Sequence, residues 1–464
     1  MTKKFIIPLI IFALLASFGG CEKSEPIVET KIPSSTAEPT KEEDTSSGSV
    51  YFFNAYPELE AVYKEIADEY EKETGITVKI ESVETDNYNS ALKEKLEDQS
   101  DSHDAPTIFQ IKSVSDYRQF KDYTKDIYGS AMHELLNDKS LSINNKGNYI
   151  YCIPMSVKAY GIIYNKDIMQ HYYDSDNPLI MDPWEIRETG LFKDVVEDMT
   201  MKKDRIGIKG VFPATPLGGG QRQLFNVAAY YEYWDENIDF AAGDTANELL
   251  FSFDQNFKEM LDLYLNNSTI DKALLSSATE ENAVLEFARG DCAMIQGGTW
   301  IYNDLISAPG SVITADNLAM LPIFIGGPGE VSQGLCVGSD NYFALNIGSS
   351  ERDINESLDF LEWLYTSSAG KDYVVNKLNF IPPYTSFAEE DIPYDKPLDR
   401  WAVTWVKRLV ISSVPWRFEF LPSYPFEENF GKRLIRYAGG EMDWETVKEE
   451  TINEWGSLKA ADNE

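Results

Sequence analysis

Apolar residues along this chain keep two different periods, and the alternation between them outlines a fold. Residues 50–54 (Val-Tyr-Phe-Phe-Asn) form a short apolar run, which predicts a buried strand. Leu59, Val62, Tyr63, Ile66, Ala67 and Tyr70 then recur at helical spacing, and Gly75 follows as a stop. Residues 77–83 alternate as a second strand. Strand, helix, strand in that order predicts a parallel crossover unit. A second helix carries Ala91, Leu92 and Leu96, and Pro106 opens a strand at 107–111. The opening third therefore reads as an open α/β sheet.

Beyond it, residues 148–167 hold two extended apolar stretches around Pro154 and Gly161. Residues 184–290 are mostly helical by pattern, with Gly/Pro breaks at 210–220. A strand is predicted at 293–295. Gly297-Gly298 reads as a tight turn, with Thr299 capping the helix that carries Trp300. Residues 318–324 and 335–346 read as strands around the turn Gly326-Gly327-Pro328-Gly329. Helices are predicted at 351–366 and 368–378, and after Pro382-Pro383 at 396–411, 427–438 and 443–457.

The first residues follow another logic. Lys3 and Lys4 precede an apolar run from Phe5 to Phe18, then Gly19, Gly20 and Cys21. The run is shorter than the roughly 20 residues that span a bilayer. Its basic, apolar and small-residue regions predict a secretory signal over 1–20. Phe18-Gly19-Gly20-Cys21 resembles a bacterial lipobox, with Phe18 where Leu is usual. That resemblance implies cleavage before Cys21 and lipidation of Cys21; an ordinary signal peptide with a chance cysteine is the alternative. Two acyl chains anchor stably where one does not. Residues 21–49, rich in Ser, Thr, Pro, Glu and Lys, bury too little to fold and read as a disordered tether.

Composition narrows the function classes. Apolar residues make up 43% and aromatics 13%, enough for large cores. The net charge of −36 repels phosphate backbones and argues against nucleic acid as a partner. Four cysteines exclude a disulfide scaffold, and three histidines argue against a multi-His metal site. The chain has no P-loop, nucleophile elbow or calcium loop. Asp174-Ser175-Asp176-Asn177 lacks the glycine and distal glutamate of a calcium loop. No catalytic residue, cofactor or metal is called for.

In open α/β sheets, ligands sit beyond the carboxyl ends of strands. Asn54 and Tyr56 follow the first strand, Gln110 lies near the end of the 107–111 strand, and Trp300 follows the Gly-Gly pair. Trp234 closes the run Tyr230-Tyr231-Glu232-Tyr233-Trp234, in which Tyr230 and Tyr231 read as core. Rings that pack on the C–H face of a pyranose, beside amides that bond its hydroxyls, are the chemistry of sugar binding. Arg222, after Gly218-Gly219-Gly220, is the one basic residue singled out. Gln296 and Tyr424 complete the candidates.

Four segments carry a resemblance to a known family. They are Lys72-Glu73-Thr74-Gly75-Ile76-Thr77-Val78; Ile153-Pro154 through Tyr160-Gly161-Ile162-Ile163-Tyr164-Asn165-Lys166-Asp167; Phe287-Ala288-Arg289-Gly290 through Gln296-Gly297-Gly298-Thr299-Trp300; and Phe360-Leu361-Glu362-Trp363-Leu364 through Gly370-Lys371. In this order, behind a lipobox and tether, the chain resembles the family 1, maltose-binding-protein-like substrate-binding proteins of ABC transporters. The resemblance implies an α/β, two-lobed periplasmic-binding-protein-like fold with a hinge and a central ligand cleft. Lobe one is expected at 50–155 plus 338–388, and lobe two at 157–336 plus 395–464. Crossings are expected near 154–158, 334–339 and 381–397.

The implied function is capture of a carbohydrate, in the first place an oligosaccharide, and its delivery to ABC permease transmembrane subunits. It would be carried out by a monomer held by a lipid anchor on the outer face of the cell membrane. Trp300 would stack on the ligand, and Lys158 and Tyr160 would face the cleft beside the first crossing. Cys152 and Cys336, each near a crossing, would be neighbours, with Cys292 the odd one out. The rival readings are a surface-anchored carbohydrate-active enzyme and a permease-independent sugar sensor or adhesion module.

Overall fold

A computed structural model of the chain describes residues 48–97, 105–144, 149–218, 221–233, 248–408, 411–416, 418, 421–422 and 425–462. These carry the strands β1 (Val50–Asn54), β2 (Val78–Ser82), β3 (Ile108–Ile111), β4 (Ile143–Asn144), β5 (Ile150–Pro154), β6 (Lys158–Asn165), β7 (Met294–Gly298), β8 (Leu318–Leu321), β9 (Gln333–Gly338), β10 (Tyr342–Leu345) and β11 (Ser412–Pro415). They sort into two sheets. The first has the order β2-β1-β3-β10-β5-β4, and the second β11-β9-β6-β7, with β8 also paired to β6. Helices pack on both, giving the mixed α/β architecture expected.

Burial explains why the opening segment folds as it does. All five residues of β1 are buried, as suits a central strand flanked by parallel β2 and β3. The helix Glu60–Thr74 crosses between β1 and β2 and buries Tyr63, Ile66, Ala67 and Tyr70, the residues at helical spacing. Tyr63 meets Phe52 edge-on at 5.1 Å, and Tyr70 meets Phe360 of the helix Glu351–Thr366 at 5.2 Å. Burying each such side chain stabilises the fold by roughly 1.5–3 kcal/mol. The C-terminal helices close an aromatic cluster in which Phe225 and Phe426 pack on the fully buried Trp455 and Phe430 packs on Phe225.

The two sheets exchange chain where their strands run side by side. β5 passes to β6 through residues 155–157, and β9 passes to β10 through residues 339–341. The passages are antiparallel: Tyr342 pairs with Pro154 and Gly338 with Lys158. A third stretch joins them, with the Val157 N–H donating to Ile381 O at 2.9 Å and the Ile381 N–H donating to Ser156 Oγ at 3.0 Å.

Several local expectations are corrected. The single strand expected at 335–346 is two strands in different sheets. Ser339 Oγ accepts the Asn341 N–H at 3.0 Å and turns the chain between them. The strand expected at 318–324 ends at Leu321. Gly297 and Gly298 do not form a turn: both lie in β7, paired with Gly161 and Tyr160. Thr299 does not cap the helix that follows; Gly298 precedes the 3-10 turn Thr299–Ile301 with no side-chain cap. Cys152 and Cys336 are not neighbours. Because the passages are antiparallel, Cys152 pairs with Ala344 in the first sheet and Cys336 with Tyr160 in the second. Cys152, Cys292 and Cys336 are all buried free thiols.

Candidate functional site

The second sheet gathers its strand ends along one edge. The register pairs Gly298 at the end of β7 with Tyr160, Gly338 at the end of β9 with Lys158, and Pro415 at the end of β11 with Val337. Residues just past these ends, Trp300 and Trp416, therefore meet the start of β6. A cavity of about 790 Å³ opens there, lined by Tyr160, Gln223, Gln296, Trp300 and Trp416 among others. That size lies within the range of small-molecule sites, about 300–1,000 Å³.

The rings form a continuous aromatic arch. Tyr160 and Trp300 have centroids 5.7 Å apart at 35°, Trp300 meets Trp416 edge-on at 6.1 Å, and Trp416 lies 5.7 Å from Phe418. Two glycines make the arch possible by lacking a side chain. A Cβ on Gly298 would sit 2.3 Å from the Trp300 ring, and one on Gly338 would sit 2.4 Å from the Trp416 ring. Each indole therefore lies flat against strand backbone. Trp300 remains 45% exposed, a ring face available to a ligand.

Polar groups alternate with the rings. Gln296 Nε2 donates to Tyr160 Oη at 3.1 Å and to Gln221 Oε1 at 3.2 Å. Gln296 Oε1 and Gln223 Oε1 are buried with no partner among the described residues. Burial pushes the Tyr160 hydroxyl well above the usual phenol range, so it stays protonated. Both cations on the wall are engaged. The Arg222 guanidinium lies 3.7 Å over the Phe418 ring and pairs with Glu427 at 3.1 Å, while Lys158 pairs with Asp340 at 2.7 Å.

Lys158 and Trp300 also wall a second compartment of about 630 Å³, with Tyr56, Asp340, Asn341 and Asp399. Burial and the nearby Asp340 carboxylate push the Tyr56 hydroxyl up to about 12. Burial pushes the Asp399 carboxyl up to about 6, with Lys396 opposing.

The expected residues thus divide. Lys158, Tyr160, Arg222, Gln296 and Trp300 line the first cavity, and Tyr56 lines the second. Asn54 and Gln110 line neither. Both are fully buried beneath Tyr56, their polar atoms committed to the protein. Asn54 Oδ1 accepts the Tyr56 N–H at 3.0 Å and its Nδ2 donates to Glu81 O at 3.3 Å. Gln110 Oε1 accepts the Ala55 N–H at 2.9 Å, and its Nε2 donates to Asn341 Oδ1. Trp234, Tyr424 and Cys21 lie outside the described residues. Sequence reasoning missed Gln221, Gln223 and Trp416. Trp416 carried a signal, since it follows the short strand Ser412–Pro415 much as Trp300 follows β7. Among the described residues no group of three or more His, Cys, Asp or Glu could hold a metal ion, and no helix is long and apolar enough to cross a membrane.

Comparison with known proteins places this architecture. Among curated proteins nothing matches the chain. Its fold is similar to a family 1 extracellular solute-binding protein from Bifidobacterium longum subsp. infantis (16% identical, covering 89% of this chain and 100% of that one, TM-score 0.59). It is also similar to the apo form of RafE from Streptococcus pneumoniae (15% identical, covering 89% and 99%, TM-score 0.61). A third similar structure is the bacterial solute receptor AcbH (13% identical, covering 89% and 99%, TM-score 0.65). Identities this low establish the two-lobed solute-binding fold and nothing finer. Residues 65–398 match the bacterial extracellular solute-binding protein family, and on that match the chain belongs to this family of binding proteins.

Proposed function

We propose that this protein captures a neutral carbohydrate outside the cell, in the first place an oligosaccharide, and delivers it to an ABC permease. The observation that carries the reading is the aromatic arch of Tyr160, Trp300, Trp416 and Phe418 beside two glutamine oxygens with open acceptor capacity. Ring faces suit the C–H faces of sugars, and amide oxygens suit their hydroxyls. Two similar structures support the ligand class: AcbH is described by an exclusive preference for β-D-galactopyranose, and RafE has been solved in complex with raffinose. Capture asks no covalent chemistry of the site, in keeping with a family of binding proteins. Tyr56, Lys158, Tyr160, Arg222, Gln296 and Trp300 are the residues we assign to the cleft.

The division of strands between sheets supports one lobe of 50–155 plus 338–388 and another of 157–336 plus 395–464. We read Cys21 as the lipidated end of a mature monomer tethered to the membrane by residues 21–49. Thermal denaturation against neutral di- and trisaccharides tests the central reading. A ligand that binds only the folded state raises the Tm. No rise with any sugar, or product accumulating beyond the protein's own stoichiometry, would overturn it. Cys21→Ala is expected to release the protein from the membrane fraction.

A further inference from the structure

Behind Gln296 lies a smaller chamber of about 60 Å³, whose wall shares Tyr160, Gln221, Glu280 and Gln296 with the main cavity. Glu280, on the wall the two share, is solvent-exposed. Two of its lining residues each hold a buried oxygen with no partner among the described residues: Gln296 Oε1 and Tyr264 Oη.

The identity of the Gln296 oxygen is fixed by a relay. The Pro216 carbonyl can only accept, so Gln221 must turn its Nε2 to it, at 2.6 Å. Gln221 Oε1 then faces Gln296 and requires a donor, which orients Gln296 Nε2 toward it at 3.2 Å. Gln296 Oε1 is what remains, and it can only accept. Gln221 keeps this arrangement at a left-handed φ of 51°, a conformation non-glycine residues seldom adopt. Tyr264, on the helix Asp254–Asn266, is held by an edge-on contact with Phe212 at 4.6 Å. Its hydroxyl both donates and accepts.

We infer that this chamber selects for a hydroxymethyl arm on the bound sugar; the inference rests on the carbohydrate reading above. A hydroxyl in the chamber would have a proton to give Gln296 Oε1 and a lone pair to accept from Tyr264 Oη. A carboxylate has no proton to give Gln296, and a methyl group would leave both oxygens bare. The volume exceeds the ~10–15 Å³ that one water-sized group needs, yet is far too small for a pyranose ring. A hydroxyl carried on an arm beyond the ring suits so small a space, and among pyranoses that arm is the exocyclic CH₂OH of a hexose. Gln221 is the positioning residue and Tyr264 the specificity-determining one.

The test is calorimetry with maltotriose and cellotriose, whose pyranose rings all carry the arm, and raffinose, whose galactopyranose carries it, against xylotriose, whose rings lack it. The best hexose trisaccharide is expected to bind at least tenfold more tightly than xylotriose. Tyr264→Phe, and separately Gln221→Leu, are expected to narrow that ratio several-fold. The readout is a ratio, so a partly unfolded sample does not shift it. Xylotriose binding as tightly as the best hexose ligand would overturn the inference while leaving sugar capture intact. So would a ratio unmoved in both variants, which would mean that the chamber holds only water. Failure of all four sugars to bind would instead remove the carbohydrate reading and this inference with it.

Discussion

Both sheets bring side-chain amides to the edge that faces the cleft, and they use them in opposite ways. At the first sheet, Asn54 and Gln110 are fully buried, and each amide engages at both its oxygen and its nitrogen. Around the second, Gln296 on β7 and Gln223 on the neighbouring helix Arg222–Tyr233 each keep a buried oxygen without a partner among the described residues. A buried amide bonded at both ends is scaffold, because disturbing it strands its neighbours. An amide with surplus capacity is an unsatisfied group that only a ligand or water completes. On the function we propose, recognition would therefore concentrate on the second sheet, together with the aromatic arch. The first sheet supplies a rigid wall that presents Tyr56.

The largest expected effect breaks the scaffold side. Gln110→Leu would take from the Ala55 N–H its acceptor and from Asn341 Oδ1 the Gln110 donor, in a buried site. At ~1–3 kcal/mol for each of the two stranded groups, denaturant unfolding should register a loss of about 2–6 kcal/mol. Sugar affinity of the folded fraction should change little. A collapse of affinity at unchanged stability would invert the comparison and make Gln110 a recognition residue.

On the recognition side, Trp300→Ala should cost about 1–3 kcal/mol of binding, the value of a buried aromatic face. The half-exposed ring contributes little to stability, so unfolding should barely move. Gly298→Ala separates chemistry from position. The new Cβ would occupy the place of the indole, so affinity should fall nearly as far although the tryptophan is retained. Equal affinity in both variants and wild type would return Trp300 to a structural role.

These contrasts also mark what a single sequence exposes. β1, the helix Glu60–Thr74 and β2 are legible because their apolar periods match the faces they bury. The break between β9 and β10 is signalled only by the polar run Ser339-Asp340-Asn341, too short to show that the flanking apolar strands belong to different sheets. Gly297-Gly298 suggests a turn because glycine permits one, whereas here the pair lies in a strand and what matters is the missing Cβ beneath Trp300. The position of Gln110 at a strand end is legible. Its occupation is not, since that depends on Asn341, 231 residues away. The relay through Gln221 is hidden for the same reason: it links the Pro216 carbonyl to Gln296, 75 residues beyond Gln221.

A smaller effect should appear only with pH. Asp399 lines the second compartment with its carboxyl held up at about 6, against about 3.9 unfolded. An acid raised on folding is a penalty above its folded pKa, and the penalty is gone below the unfolded one. Asp399→Asn should therefore raise the Tm at pH 7.5. That gain should fade as the pH drops through 6 and vanish near pH 4. A gain that persists at pH 4 would mean that burial is not what raises the group.

The smallest expected effect concerns charge. Lys158 opens β6 and pairs with Asp340 in the neighbouring passage at 2.7 Å, both side chains about half exposed. It lies on the wall of both compartments, so its position alone would suggest a ligand contact. If recognition runs through surplus amide oxygens and rings, an ammonium already satisfied by Asp340 adds little for a neutral sugar. Exposed pairs of this kind contribute about 0–1 kcal/mol. Lys158→Met should thus change stability by under about 1 kcal/mol. The change should shrink further in 1 M salt, where screening acts within about 3 Å. Calorimetry should register less than about a threefold change in affinity, about 0.7 kcal/mol at 1.4 kcal/mol per decade. A tenfold loss that salt does not abolish would mean that Lys158 leaves Asp340 for the ligand. Recognition would then be shared between the amides of the second sheet and the charges at the passages between the two sheets.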